Sequence, residues 1–314
     1  MNSRSVLMTI PPPGPNGGDG VRVAAALGVD PGSILDLSQN LNPFAPDVAA
    51  IAARHLDSLR RYPDPSEGTR LLAETIGVAC DRLILTNGAA GAVNAVAREI
   101  GGRVHSEPEF SLHPRGIDGP VWRSDPHNPS GVLAGSEVRV DVWDEAFYPL
   151  ATGRWSARRS GVVVGSLTKL FACPGLRLGY VIADDVDRFA RHQSEWAVGS
   201  LALAVMEELI LRVDLPGWSD AVSAARAELV DMFISRGLSV SAADAPWVLV
   251  HAPGLRERLA REGIVVRDCT NFGMPGYARV AVPDGKGLSR LERALDRSSE
   301  NGFRTDGPGR LRSG

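Results

Sequence analysis

Short apolar runs that do not alternate set the strongest limit on how this chain can fold. "RLILTNG", "GPVWRS", "VRVDVWDEAF", "GVVVGSL" and "RLGYVIA" recur between residues 82 and 183, each bounded by turn residues. A strand with one wet face alternates apolar and polar residues, whereas an unbroken run suits a strand buried on both faces. Helices must then cover both sides of the sheet. Helical spacing is present where such cover is needed: "DVAAIAARHLDSLRRY" with Asp47 as cap and Pro63 as stop, "AAGAVNAVAREI" after Gly88, and two long segments at 200–213 and 217–236. Beyond them the order is strand, strand, helix, strand, strand, helix: "LSVS", "WVLVHA", "GLRERLAREG", "IVVRD", "YARVAV" and "LSRLERALDR". The expected fold is therefore α/β, a large domain with a mostly parallel sheet flanked by helices plus a smaller α+β domain. With 314 residues and 44% apolar side chains, there is material for both cores. The expected division is an extended arm over 1–20, a large domain over 43–210, a small domain over 21–42 and 211–297, and a disordered tail over 298–314.

Composition excludes several function classes. A net charge of −3 gives no electrostatic reason for nucleic acid or an anionic membrane as partner. Cys80, Cys173 and Cys269 are far apart and form no metal-ligand or disulfide pattern. The first fifteen residues are too polar and proline-broken for a signal peptide, and "WAVGSLALAVMEELILRV" carries two glutamates. A cytoplasmic protein with no metal is expected.

Among 34 basic residues only Lys169 and Lys286 are lysine. Lysine can lose its proton and attack a carbonyl, and arginine effectively cannot. Lys169 lies in "GSLTKLFACPGLRLGY", between a β-like run and a Gly/Pro turn, with Ser166 and Thr168 before it and Arg177 after it. Three other pieces stand beside it. "LTNGAAGAV" is a strand, Gly88, then a helix start, where free N–H groups can hold an anion; a tight packing turn would read the same. "DPHNPSG" offers Asn128 ahead of a proline, as a ligand donor or an ordinary turn. "DVWDEAF" puts Asp144 at the end of a buried strand, where an unpaired carboxylate is expensive, or at a helix cap. Together they describe one ligand. Gly88, Ala89, Ala90, Ser166, Thr168 and Arg177 suit a phosphate ester, Asp144 a protonated ring nitrogen, Asn128 a phenolic oxygen and Lys169 an aldehyde. That ligand is pyridoxal 5′-phosphate.

At this point the chain resembles the fold-type-I pyridoxal-phosphate enzymes of aminotransferase class I/II, from about residue 16 to 296. Ser166 to Tyr180 carries the pattern S-x-T-K-x-x-x-x-x-G-x-R-x-G-Y. "NGGDG…LDLSQNLNPFAPD", "RRYPDP" and "GIVVRDCTNFGMPGYARVAV" are similar to the branch holding histidinol-phosphate aminotransferase and the cobalamin-pathway threonine-phosphate decarboxylase. The resemblance implies that Lys169 joins the cofactor aldehyde and moves protons at the substrate Cα, that Asp144 keeps the ring nitrogen protonated, and that Asn128 binds the ring oxygen. It implies that His113, with Phe110 as second choice, stacks on the ring. It further implies that Asn42 lines the substrate pocket, that Arg267 and Arg279 bind substrate anions, and that Tyr62 reaches the cofactor phosphate of a second subunit in a homodimer with shared sites. A small, phosphorylated amino-acid substrate is implied, with "VRDCTNF" and Phe147 favouring the decarboxylase over an aminotransferase for histidinol phosphate or aromatic amino acids.

Two departures bear on this. The segments on either side of "DPHNPSG" are short where the family has helices and a further strand, and Asn16 stands where the decarboxylase branch has histidine. A trimmed relative that binds the cofactor with little catalysis is the non-enzyme alternative. A nucleotide-binding module built on "NGAAGAV" is a poor alternative, because its glycines match neither G-x-G-x-x-G nor a P-loop and no lysine follows.

Overall fold

The computed structural model describes residues 9–157 and 159–300. Its strands, in chain order, are β1 Leu35–Asp36, β2 Leu83–Asn87, β3 Arg103–Val104, β4 Val121–Ser124, β5 Val142–Asp144, β6 Val162–Ser166, β7 Leu178–Ile182, β8 Ser239–Ala242, β9 Trp247–His251, β10 Ile264–Val265, β11 Arg267–Asp268 and β12 Tyr277–Ala281. Six of them form the large sheet, ordered β2-β7-β6-β5-β4-β3. Strands β3 to β6 are mutually parallel, and β7 runs antiparallel to both β2 and β6.

The unbroken apolar runs have the expected cause. Every residue of β6 and β7 is buried. Val162 and Val164 point into a core with Val93, Trp122 and Phe189, while Val163 points the other way to Leu85, Trp143 and Met206. Each such valine contributes about 1.5–3 kcal/mol by leaving water. Helix Gly88–Ile100 covers one face, and helices Ser66–Ile76 and Ser200–Leu211 cover the other.

The second sheet is antiparallel, ordered β11-β12-β9-β8, and shares a separate core with helices Leu215–Ile234 and Gly285–Glu300. The run "IVVRD", expected as one strand, is two. Ile264–Val265 pairs with β1, Arg267–Asp268 turns to pair with β12, and Val266 marks the change of sheet. The pairing with β1 ties the residues before the large sheet to the carboxy-terminal part of the chain.

Helix Val48–Arg54 starts where Asp47 accepts the Ala50 N–H at 3.0 Å, but it ends early and gives way to a 3-10 turn over Leu56–Arg60. Residues 112–120 and 131–141 hold no helix or strand. The arm expected over 1–20 is described only from Thr9, irregular to Asp19, with a helix from Gly20. Of the tail expected from Ser298, the backbone to Glu300 closes the last helix, and the rest lies outside the described residues. Among the described residues no helix is long and apolar enough to cross a membrane.

Candidate active site

Parallel strands leave their carboxyl ends on one rim, which is where α/β sheets bind ligands. β4 delivers Ser124 and then Asn128 to that rim, β5 delivers Asp144 and β6 delivers Ser166. Because β7 runs backwards, its start brings Arg177 to the same place. A cavity of about 410 Å³ lies there, walled on its far side by the small sheet and the amino-terminal arm. Ala89, Ala90, Asn128, Asp144, Ser166, Thr168, Lys169, Arg177, Arg267 and Arg279 all line it.

The anion end is built from backbone. Helix Gly88–Ile100 begins at the rim, so its first-turn N–H groups and positive dipole end face the cavity beside Ala89 and Ala90. Gly88 has φ +65°, and a Cβ there would lie 2.5 Å from the Arg177 guanidinium. At Gly179 a Cβ would lie 2.4 Å from the carbonyl carbon of Gly88. Both positions need glycine so that the helix start, β7 and Arg177 can close on one another. Arg177 itself takes φ +57°, a left-handed conformation unfavourable for a residue other than glycine. The Thr168 hydroxyl donates to the Leu178 carbonyl at 3.1 Å and accepts from its N–H at 3.3 Å, clamping the lysine turn to β7.

Lys169 lies in the single turn Leu167–Leu170 after β6. Its Nζ donates to the Gln39 carbonyl at 2.8 Å. Burial first, then the Arg279 and Arg177 cations, push its pKa down to about 8, with Asp36 opposing. An amine with that pKa is partly neutral at physiological pH and can act as nucleophile or base. Asp144, 6% exposed, accepts the Ala146 N–H on Oδ1 at 3.0 Å, and its Oδ2 lies 3.0 Å from His113 Nε2.

The opposite wall carries two arginines. Arg267 and Arg279 face each other across the β11–β12 pair. Arg279 Nη1 donates to Asn128 Oδ1 at 2.6 Å, and the Asn40 amide, with its oxygen toward Arg279, accepts from Nη2 at 3.2 Å and Nε at 3.1 Å. Arg267 donates to the carbonyls of Gly14 at 2.7 Å and Pro15 at 2.5 Å. Burial lowers both pKa values, that of Arg279 to about 10. No carboxylate pairs with either among the described residues, so this wall keeps an unsatisfied affinity for anions.

Three expectations change. His113 does not line the cavity: its ring is fully buried behind Asp144, whose carboxylate it touches, so it cannot stack on a ligand there. Phe110 stands in the cavity wall instead, three residues earlier on the same turn-rich segment. Asn42 also lies off the cavity. Its amide donates to the Leu170 carbonyl at 2.9 Å and accepts the Phe44 N–H at 3.0 Å, and its own N–H donates to the Lys169 carbonyl, so it props the lysine turn from behind. Tyr62 is 79% exposed on the surface, with its ring 4.7 Å from that of Trp196, and takes no part in this chain's cavity. Sequence reasoning missed Gln39, which acts through a backbone carbonyl, and Phe272, which lines the cavity from the turn after β11. A backbone contact leaves no side-chain signal.

The donors fit pyridoxal phosphate on their chemistry. A helix start that only glycine can form sits at one end. A buried carboxylate sits at a strand end, and an amine of depressed pKa lies between them.

A family model described as aminotransferase class I and II matches residues 124–297. The histidinol-phosphate aminotransferase of Halorubrum lacusprofundi is 28% identical, covering 87% of this chain and 92% of that protein. Among solved structures, histidinol-phosphate aminotransferase from Sinorhizobium meliloti in complex with pyridoxal-5′-phosphate superposes with a TM-score of 0.75 at 16% identity, over 96% of this chain and 99% of that one. The L-threonine-O-3-phosphate decarboxylase of Porphyromonas gingivalis gives 0.71 at 19%, over 85% and 100%.

Proposed function

The chain belongs to the aminotransferase class I and II family, and from that premise we propose that it is a pyridoxal-phosphate enzyme acting on a small amine or amino acid that carries a phosphate. The observation that carries the substrate class is the pair Arg267 and Arg279, buried side by side with no carboxylate paired to either among the described residues. One guanidinium suits a carboxylate; the pair suits a substrate with two anionic groups. Amino transfer from histidinol phosphate is the first reading, supported by the sequence relatives. Decarboxylation of threonine phosphate is the second. It is supported by Phe147, which lines the cavity 4.9 Å from the Trp247 ring and brings no hydroxyl to the cofactor.

When bound, pyridoxal phosphate supplies an electron sink for the bond that breaks at the substrate Cα. The chain's own groups do the rest. The amides of Ala89 and Ala90, with Ser166 and Arg177, hold the phosphate ester. Asp144 holds a proton at the ring nitrogen, and Asn128 holds the ring oxygen while steadying Arg279. Phe110, in the cavity wall, would cover the ring face. Lys169, neutral for part of the time, takes and returns the proton at Cα. Phe147 and Phe272 exclude water from the substrate end. Tyr62 would complete the phosphate cradle of a second copy, an arrangement supported by its exposure beside exposed Leu59 and Trp196.

The test is a visible titration of the protein with pyridoxal phosphate, then with histidinol phosphate plus 2-oxoglutarate or with threonine phosphate. Glutamate formation supports the first reading, and carbon dioxide release supports the second. An absorbance band that neither substrate perturbs overturns both.

A further inference from the structure

Behind Asp144, away from the cavity, lies a buried charged group that the proposed chemistry does not use. Glu109 is 2% exposed, and no lysine or arginine pairs with it among the described residues. It accepts from the Ser124 N–H at 3.0 Å, the Ser124 hydroxyl at 2.7 Å and the Phe110 N–H at 2.8 Å. Two histidines face it. His113 Nδ1 lies 3.9 Å from Oε1, and His127 Nε2 lies 3.9 Å from Oε2. Both ring nitrogens are buried and lack a hydrogen-bond partner.

The other cations near Glu109 are engaged elsewhere. Arg115 crosses the same loop, but it donates to the carbonyls of Glu109, Phe110 and His113 and pairs with Glu107. Arg123 lies nearest Asp125, at 3.5 Å. His127 shares its Nδ1 with Ser130 at 2.7 Å, and burial lowers its pKa, with Glu109 opposing, so it stays neutral. Phe110 and Trp122, with centroids 5.5 and 5.4 Å from His113, close the rest of the shell with apolar rings. A buried carboxylate without a cation is expensive. His113 stands between two of them, Glu109 on its Nδ1 side and Asp144 on its Nε2 side.

We propose that Glu109 is a positioning residue: its carboxylate and that of Asp144 together hold a proton on each ring nitrogen of His113, Nδ1–H toward Glu109 and Nε2–H toward Asp144, and so set the Asp144 carboxylate for the cofactor ring nitrogen. This rests on Asp144 facing that nitrogen, but the histidine state it specifies exists without cofactor or substrate. The unpartnered Nδ1 is then explained, since a donor aimed at a carboxylate is stabilised where a bare lone pair would be repelled. Asp144 becomes the visible end of a three-member chain.

Nitrogen-15 NMR of histidine-labelled, cofactor-free protein reads this directly, because the chain has six histidines and His113→Asn assigns the signal. Both ring nitrogens of His113 should be protonated in the unsubstituted protein at neutral pH, and only one in Glu109→Gln. In the loaded enzyme Glu109→Gln should lower kcat roughly tenfold while KM moves less than about twofold, with Glu109→Asp restoring part of the loss. A single ring proton on His113 in the unsubstituted protein overturns the proposal, and that spectrum decides the matter even if Glu109→Gln does not fold. A variant that only melts earlier, with His113 signals and kcat unmoved, also overturns it. If no substrate turns over, the function is misread, yet the histidine spectrum still stands or falls alone.

Discussion

The two ends of the cavity are built by different means. The cofactor end is made of strand ends and one helix start, all from residues 86–177 of a single sheet, and its positions are set by ladder pairing and close backbone packing. The substrate end is gathered from three distant segments: the arm at Gly14 to Gly18, the turn at Gln39 and Asn40, and strands β11 and β12. Its arginines are steadied by carbonyl and amide oxygens, with no ion pair among the described residues. A rigid cofactor end preserves one chemistry, while a wall held by neutral, exchangeable contacts can change its ligand without disturbing that chemistry.

Removing the amine should break the cofactor end outright. In Lys169→Ala turnover should fall by about 10²–10⁴-fold, and borohydride should no longer fix the cofactor to the chain; label on Lys286 in the unsubstituted protein would break the comparison itself. A smaller effect, confined to the other end, is expected from Arg267→Lys and Arg279→Lys. A lysine cannot reproduce the guanidinium fork, so KM should rise roughly 10- to 100-fold for each, equivalent to about 1.5–3 kcal/mol of charged hydrogen bonding. The visible spectrum of Arg267→Lys should be unchanged. If it shifts as far as that of an Asp144 variant, the two ends are not separable.

The smallest effect is on stability. The folded Lys169 pKa of about 8 lies below its ordinary 10.5, so between those values the folded chain binds fewer protons than the unfolded chain. The Lys169 contribution is complete above 10.5 and is lost as pH falls toward 8. Cofactor-free protein should therefore gain Tm with rising pH across that window relative to Lys169→Met, which removes the buried charge. Matched melting curves at pH 7.5 and 9.5 check it, and parallel curves would show the amine to be solvated.

The same contrast explains what could be read from sequence. Lys169, Asp144 and Arg177 lie at or just beyond the ends of apolar runs that read as strands, with Asn128 in the loop after another, and topology brings strand ends together. His113 and Asn42 are different, because a position three residues along a loop decides whether a side chain faces a cavity or its back. In "EPEFSLH" the sequence favours the histidine as ring partner over the phenylalanine, and only the segment's turn reverses that order. Nothing in "EPEF" distinguishes the buried Glu109 from a surface acid either. The split of "IVVRD" between two sheets was hidden for a related reason, since pairing partners such as Leu35–Asp36 lie more than 200 residues away.

The order in which the chain is made gives the lone antiparallel strand a further consequence. β7 is the last strand of the large sheet and ends at Ile182, whereas the arginine wall is not complete until β12 ends at Ala281. Domains fold as units from the amino terminus during synthesis. A nascent chain therefore has every strand of the cofactor end well before it can seat the arm on Arg267. Through that interval the reactive lysine stands at a rim that still lacks its arginine wall, and the cavity is closed only when β11 and β12 have followed.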